Sequence, residues 1–507
     1  MKCIFVLFDS LNRNVIGPYG GPVATPNMDR LAARGCVFDN HYAGSLPCIP
    51  ARREIHTGRL NFLHRGWGPL EPFDRSFAGE MREAGIYSHL ITDHYHYFED
   101  GGFGYHGRYD SYEFIRGQEK DKWRSMIEPG LAAYQERFDP SQRDLSLDPN
   151  GKTAYYANHR HLAVTDKFPL NQCLDAAVDF VGAHAKVDNW FLHLECFDPH
   201  EPFFLDSDLA LADETALGGK IFDWPVYGEN RLDDARLTQL RRRYEALVQR
   251  CDSQLGRLLD ALDAHNLWDD TVVILTTDHG LLLGEKEFLG KNRPPFFNEV
   301  ARIPLLVAAP ASMMPVERRI PGLTQTTDLM PTFLDVFGIP IPEEVGGRSL
   351  LSCLSGETDG LHEAVLFGQF GAALNFTDGR HSYFRYPLEE QEDQLYQYTL
   401  MPTHMRTFFE HIEFEDAEVV DDLSYARGFP VWRLRMHPEA KANMVRRYPL
   451  LDAQDALYDL EADPLQQTPL SQPEIAQRCR DMIARLLREH EAPPEIFTRF
   501  GLEKQPC

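Results

Sequence analysis

Short apolar runs punctuate the chain: CIFVLF at 3–8, NWFLHLECF at 189–197, TVVILTTDHG at 271–280 and RIPLLVAAP at 302–310. Each is short and continuous, the pattern of a strand buried on both faces. Helical patterns lie between them: NMDRLAARG at 27–35, a long stretch from Ala235 to His265, and TDLMPTFLDVFG at 327–338. Strands alternating with amphipathic helices predict an α/β fold, with a mainly parallel central sheet flanked by helices. Ligands gather at the carboxyl ends of strands in such sheets. Asp9 and the pair Asp278-His279 fall where an apolar run stops, so two strands deliver acidic or imidazole groups to that edge.

The pattern changes near residue 360. AVLFGQFGAALNF, a turn at TDGR, and HSYFRYP predict an antiparallel hairpin. PEIAQRCRDMIARLLREHE near the end is an amphipathic helix. The expected division is a catalytic α/β domain over 1–360 and a smaller α+β subdomain with antiparallel sheet and terminal helix over 361–507. The span from 100 to 170 is weakly periodic and reads as loops with short helices.

Composition narrows the class. With 43% hydrophobic and 25% charged residues the chain is an ordinary globular protein. Its net charge of −26 argues against nucleic acid or an anionic membrane as partner, since both need a basic face. An anionic substrate would need a local basic pocket. No stretch approaches the roughly 20 apolar residues of a membrane span. The apolar run in MKCIFVLFDS is too short for an export signal and lacks a small-residue cleavage site. The expectation is therefore a cytoplasmic protein whose nine scattered cysteines are reduced.

One cysteine stands apart. In SLPCIPARREIHTGR, Pro50 suits the first turn of a helix and Gly58 its end, which puts Cys48 at a helix N-terminus, with Arg52 and Arg53 one turn on. A reactive thiolate is one reading. Cysteine phosphatases, however, need an arginine after five intervening residues, and Glu54 occupies that position.

Cys48-Ile49-Pro50-Ala51-Arg52, followed by Thr57-Gly58, is the C-x-P-x-R signature of the type I sulfatases. The resemblance extends through ATPNMDRLAARGCVFDNHYAGSLPCIPARREIHTGR, NWFLHLECFDPHEPF, ILTTDHGLLLGEKEFLGKNRPPFFNEVARIPLLV, TDLMPTFLDVFGIPIPEEVGGRSLL and ALYDLEADPLQQTPL. Five blocks in the family's order span nearly the whole chain. The resemblance implies an alkaline-phosphatase-like fold and hydrolysis of sulfate monoesters, the substrate being a small molecule or a saccharide sulfate. It implies that a formylglycine-generating enzyme oxidises Cys48 to formylglycine. One hydroxyl of the hydrated aldehyde would attack sulfur and the other would then expel sulfate. Arg52 would steady the hydrate, and one divalent cation, Ca²⁺ or Mn²⁺, would be held by Asp9, Asp278, His279 and the modified Cys48. His200, in DPHEP, would face the ester oxygen and Lys291 would grip the sulfate. Oligomeric state is left open.

The chain departs from the family's common pattern in several places. Ser10 stands where a second aspartate is usual, and His279 where asparagine is usual; an imidazole moves the site toward Mn²⁺. Asp-His also occurs in the related phosphonate monoester hydrolases, so a phosphonate monoester or phosphodiester hydrolase is the alternative. The family's G-K-W-H element is replaced by Asp93-His94-Tyr95-His96, from which either His94 or His96 is expected at the anion site. Asn12 replaces an arginine, for which Arg13 is a candidate substitute. Asp198, Glu201 and the aromatic, charged stretch 105–123 have two readings, the lining of a substrate cleft for a sugar or aryl group and surface loops; the surface-loop reading is preferred and they stay outside the expected site.

Overall fold

In a computed structural model the chain is described throughout except at residues 128–130, 143–148, 166, 206–216, 293–294, 315, 317, 389–393, 438, 441–453 and 504–507. Cys507 lies outside the described residues.

A nine-stranded sheet forms the centre. Lys2–Phe8 runs through its middle, parallel to Trp190–Cys196 on one side and Thr271–Thr276 on the other. Tyr87–Thr92 and then Ser111–Phe114 extend it in parallel. On the far side Leu305–Ala308 joins Thr271–Thr276 antiparallel, followed by Cys36–Tyr42 and its parallel neighbour Arg318–Gln325. The three central strands are buried along their whole lengths, as their unbroken apolar runs require.

Side chains alternate across each strand and so feed two cores. Ile4, Val6 and Phe8 pack with Leu174, Leu247, Leu255 and Leu259 from the helices Pro169–His184 and Asp234–His265. Cys3, Phe5 and Leu7 pack against Phe77, Leu329 and Phe333, from Phe77–Glu83 and Leu329–Val336. Helices cover both faces, so the open positions for chemistry lie along the carboxyl edge.

Two local expectations are corrected. RIPLLVAAP is not one strand but two, Arg302–Ile303 and Leu305–Ala308, with Pro304 between them. AVLFGQFGAALNF turns back on itself, so three antiparallel strands, Val365–Gly368, Leu374–Thr377 and His381–Arg385, replace the expected hairpin. Glycines 368 and 371 sit at and beside this reversal, Gly371 at φ 78. Ala456–Asp459 completes this sheet, and Pro473–Glu489 packs over it through Cys479, Ile483 and Leu487. In the weakly periodic span the structure has a longer helix than expected, Pro149–Thr165, where Tyr155 and Tyr156 pack with Phe138 and Trp224.

Candidate active site

The helix Cys48–Thr57 starts at the cysteine itself, and every one of its residues is buried. Gly58 ends it at φ 64, a conformation that disfavours a side chain, and an added Cβ would meet Val345 at 2.7 Å. The two arginines diverge. Arg53 makes a two-pronged pair with Asp74, 2.7 and 3.0 Å, and serves the scaffold. Arg52 points under the sheet edge: its Nη2 lies 2.8 Å from Asp9, its Nη1 2.7 Å from Asp278, and its Nε 2.5 Å from Glu195. It also donates to the Cys48 carbonyl at 3.1 Å.

Asp9 follows the strand Lys2–Phe8 directly, and Asp278-His279 follow Thr271–Thr276. Ligand atoms of Asp9, Cys48, Asp278 and His279 all lie within 4.8 Å of one another, and all four residues are buried. His279 Nδ1 bonds the Gly280 carbonyl at 2.9 Å, which places a proton there and leaves the Nε2 lone pair facing the cluster. That Nε2 is 3.2 Å from Cys48 Sγ and 3.2 Å from Asp278 Oδ2. Two carboxylates, a sulfur and a correctly turned imidazole fit a divalent cation.

The electrostatics suit an anion. Burial works to raise the Asp9 carboxyl, yet Lys291, His200 and Arg52 hold it well below the usual range. Lys291 follows the short strand Phe288–Gly290; it donates to Ser10 Oγ at 3.0 Å and lies 3.7 Å from Asp9 Oδ1. Its own pKa is raised, because Cys48, Glu201 and Asp9 outweigh the cost of burial. Burial pushes the Cys48 thiol well above its ordinary value, with Lys291 acting against it, so a free thiolate nucleophile is disfavoured. His200 is brought down to about 3 by burial and Lys291, and its Nδ1 bonds the Glu201 carbonyl. The standing positive charges near neutral pH are Lys291 and Arg52; His200 is neutral there and adds to the hold on Asp9 only in acid, where both groups titrate.

Of the two candidate histidines, His94 is the one at the site. It is fully buried, its Nε2 lies 3.4 Å from Asp9 Oδ2, and neither ring nitrogen has a hydrogen bond of normal geometry. His96 faces away, toward Glu99 at 2.6 Å and Glu119 at 3.9 Å, a correction that follows from the short 3₁₀ turn at Tyr95–Phe98. Arg13 does not substitute for the missing arginine: it lies over the Tyr19 ring and 3.8 Å from Asp39. Asn12 instead ties the two metal-side loops together, exchanging hydrogen bonds with Leu281 at 2.6 and 2.8 Å.

Two residues went unassigned from sequence. Glu195 sits in an apolar strand, and a lone acid in such a run was the available signal. Glu201, read as surface, is 1% exposed with its carboxylate 3.6 Å from His200 Nδ1, and burial raises its pKa to about 7.

This fold and this cluster define an alkaline-phosphatase-like ester hydrolase. The family model described as Sulfatase matches residues 2–339, and the chain belongs to the sulfatase family. It is a sulfuric ester hydrolase. A second model, N-sulphoglucosamine sulphohydrolase, C-terminal, matches residues 284–419. The chain is 25% identical over 381 residues to the arylsulfatase of Clostridium perfringens, covering 68% of this chain and 77% of that one. It is 27% identical over 372 residues to a multifunctional alkaline phosphatase superfamily protein of Trinickia caryophylli, covering 65% and 71%. Among solved structures, a protein in complex with its substrate D-glucosamine-2-N,6-O-disulfate aligns at TM-score 0.65 and 16% identity over 99% of both chains. The phosphonate monoester hydrolase of Agrobacterium radiobacter aligns at 0.64 and 18%, over 97% and 95%. Both show the shared fold.

Proposed function

We propose that this sulfatase works through formylglycine at position 48, with one divalent cation held by Asp9, Asp278, His279 and the modified residue. The observation that carries this is the convergence of those four residues beside Lys291 and His94, with Arg52 behind them. A formylglycine hydrate supplies a nucleophile with a second hydroxyl to expel sulfate, and a cation neutralises charge developing on oxygen.

The chain's own residues do the rest. Arg52, itself held by Glu195, fixes Asp9 Oδ2 and Asp278 Oδ2 and keeps both carboxylates aimed at the cluster. Lys291 and His94 bind the non-reacting sulfate oxygens. His200 passes a proton to the leaving alcohol: burial first, and then the Lys291 charge, favour its neutral form, and an incoming anion shifts the balance toward the protonated one. The His279 imidazole nitrogen among the ligands favours Mn²⁺ over Ca²⁺. None of the eight described cysteines forms a disulfide, which supports a reducing, cytoplasmic setting and maturation there by a formylglycine-generating enzyme.

His279, in place of asparagine, favours a second reading, a phosphonate monoesterase. Turnover of 4-nitrophenyl sulfate against 4-nitrophenyl phenylphosphonate by the Mn²⁺-loaded enzyme separates them. A higher kcat/KM for the sulfate is expected; a higher value for the phosphonate reverses the assignment.

A further inference from the structure

Beside the site lies a cavity of about 460 Å³, within the roughly 300–1,000 Å³ range of small-molecule sites. None of the residues assigned above lines it. It is joined to the site by the chain itself: His94 reaches Asp9, and Tyr95, the next residue, forms part of the cavity wall. The opposite wall, residues 116–122, is tied to the same edge. Gln118 donates to Asp93 at 2.9 Å and to Asp198 at 3.2 Å, the loops that carry His94 and His200, and Tyr95 donates to Glu119 at 2.5 Å. The stretch read from sequence as a surface loop is therefore built onto the site.

The lining combines three chemistries. Phe98 stacks on Phe114 with centroids 3.9 Å apart and stays 41% exposed, an apolar face for the C–H surface of a ring. Arg116, Lys120, Lys122 and Arg406 gather cations in a molecule of net charge −26. Arg116 is clasped by Asp121 at 2.7 and 2.6 Å, and Arg406 reaches in from the C-terminal region to Glu99 at 2.8 Å and the Tyr95 hydroxyl at 3.2 Å. Lys122 is exposed and, among the described residues, carries no ion pair. The carboxylates of Glu99 and Asp100 are acceptors for hydroxyl groups.

We propose that this cavity receives the alcohol portion of the sulfate ester and selects a saccharide bearing a second anion. It rests on the sulfatase reading above. The ring lies against Phe98, its hydroxyls bond the carboxylates, and its second anion pairs with Lys122 and Arg406. A small aryl sulfate would leave Lys122 without an anionic partner and Arg406 held by Glu99.

The test uses matched pairs of monosulfated and disulfated hexosamines as competitive inhibitors of 4-nitrophenyl sulfate turnover by the mature, metal-loaded enzyme. Expected for the wild type is a roughly tenfold lower inhibition constant for the disulfated members, the effect of one charge-assisted contact. Lys122→Gln and Lys122→Gln/Arg406→Gln progressively remove that difference, while inhibition by the monosulfated members changes far less. No difference in the wild type, or a difference that persists in the double variant, overturns the proposal. Lys122 is exposed, so its single variant remains informative if the double variant melts early. If the wild type fails to turn over the aryl sulfate, the sulfatase mechanism is what has failed. Calorimetric binding of the same sugars to the wild type and Lys122→Gln then decides the cavity separately.

Discussion

The Arg52 guanidinium sits 2.7 Å from the Asp278 carboxylate, both fully buried, and the same group spans to Asp9 and Glu195. Three carboxylates share one cation, with Lys291 near Asp9 as the next positive charge. Arg52→Ala leaves them uncompensated, so a loss of about 3–5 kcal/mol in urea unfolding is expected along with activity. Arg52→Lys restores part of the stability but little of the activity, because an ammonium cannot bridge three partners in a plane. Unchanged unfolding of the alanine variant would contradict this arrangement.

Cys48 is the second point of attack. The peptide carrying it, from protein matured with a formylglycine-generating enzyme, is expected to hold an aldehyde by mass spectrometry. Cys48→Ala should lower kcat by at least about 10³-fold with the melting temperature unchanged. Cys48→Ser should stall after one turnover, since a serine ester lacks the second hydroxyl. Sustained turnover by the serine variant would rule out the hydrate route.

His279→Asn exchanges a nitrogen ligand for an amide oxygen. Activity of the metal-stripped enzyme should then be restored better by Ca²⁺ than by Mn²⁺, the reverse of the wild type. Identical metal profiles for the two proteins would remove His279 from the ligand set.

Stability should peak near neutrality. His41, His56 and His64 are brought to about 3 by burial, and His490 to about 4. Their unfolded forms take up protons below about pH 6.5 while the native forms do not, so stability falls on acidification from there. Burial raises Glu54 to about 7, and burial together with Asp198 raises Asp93 to about 8. These acids are protonated only in the native state between about pH 4 and those values, so their contribution is lost as pH rises through 7 to 8. Below 6.5 these four histidines, with His200, outweigh Glu54, Asp93 and Glu201. A melting temperature that rises steadily from pH 6.5 down to 5 would contradict this balance.

The alternation of apolar runs and helical patterns was enough to read an α/β sheet, because burial on both faces demands continuous apolar strands wherever they fall in the chain. Asp9 and Asp278-His279 were legible for the same local reason: polar groups at the points where such runs stop. The hairpin that became three strands was misread because a run of apolar residues does not announce a reversal that glycines make inside it.

Partner choice was not legible. Arg52 and Glu195 are 143 positions apart, and nothing near either residue marks the other. His94 and His96 are equivalent in sequence, and only the 3₁₀ turn between them sends one to Asp9 and the other to Glu99 and Glu119. Glu201 looked like a loop residue until Tyr227, brought in from 26 positions away, closed over it. Local patterning settles which faces are buried, since the hydrophobic effect is non-directional and acts through area. Which charges meet is decided by the sheet order, since strands distant in sequence end side by side there, and a buried ion pair needs both partners in place.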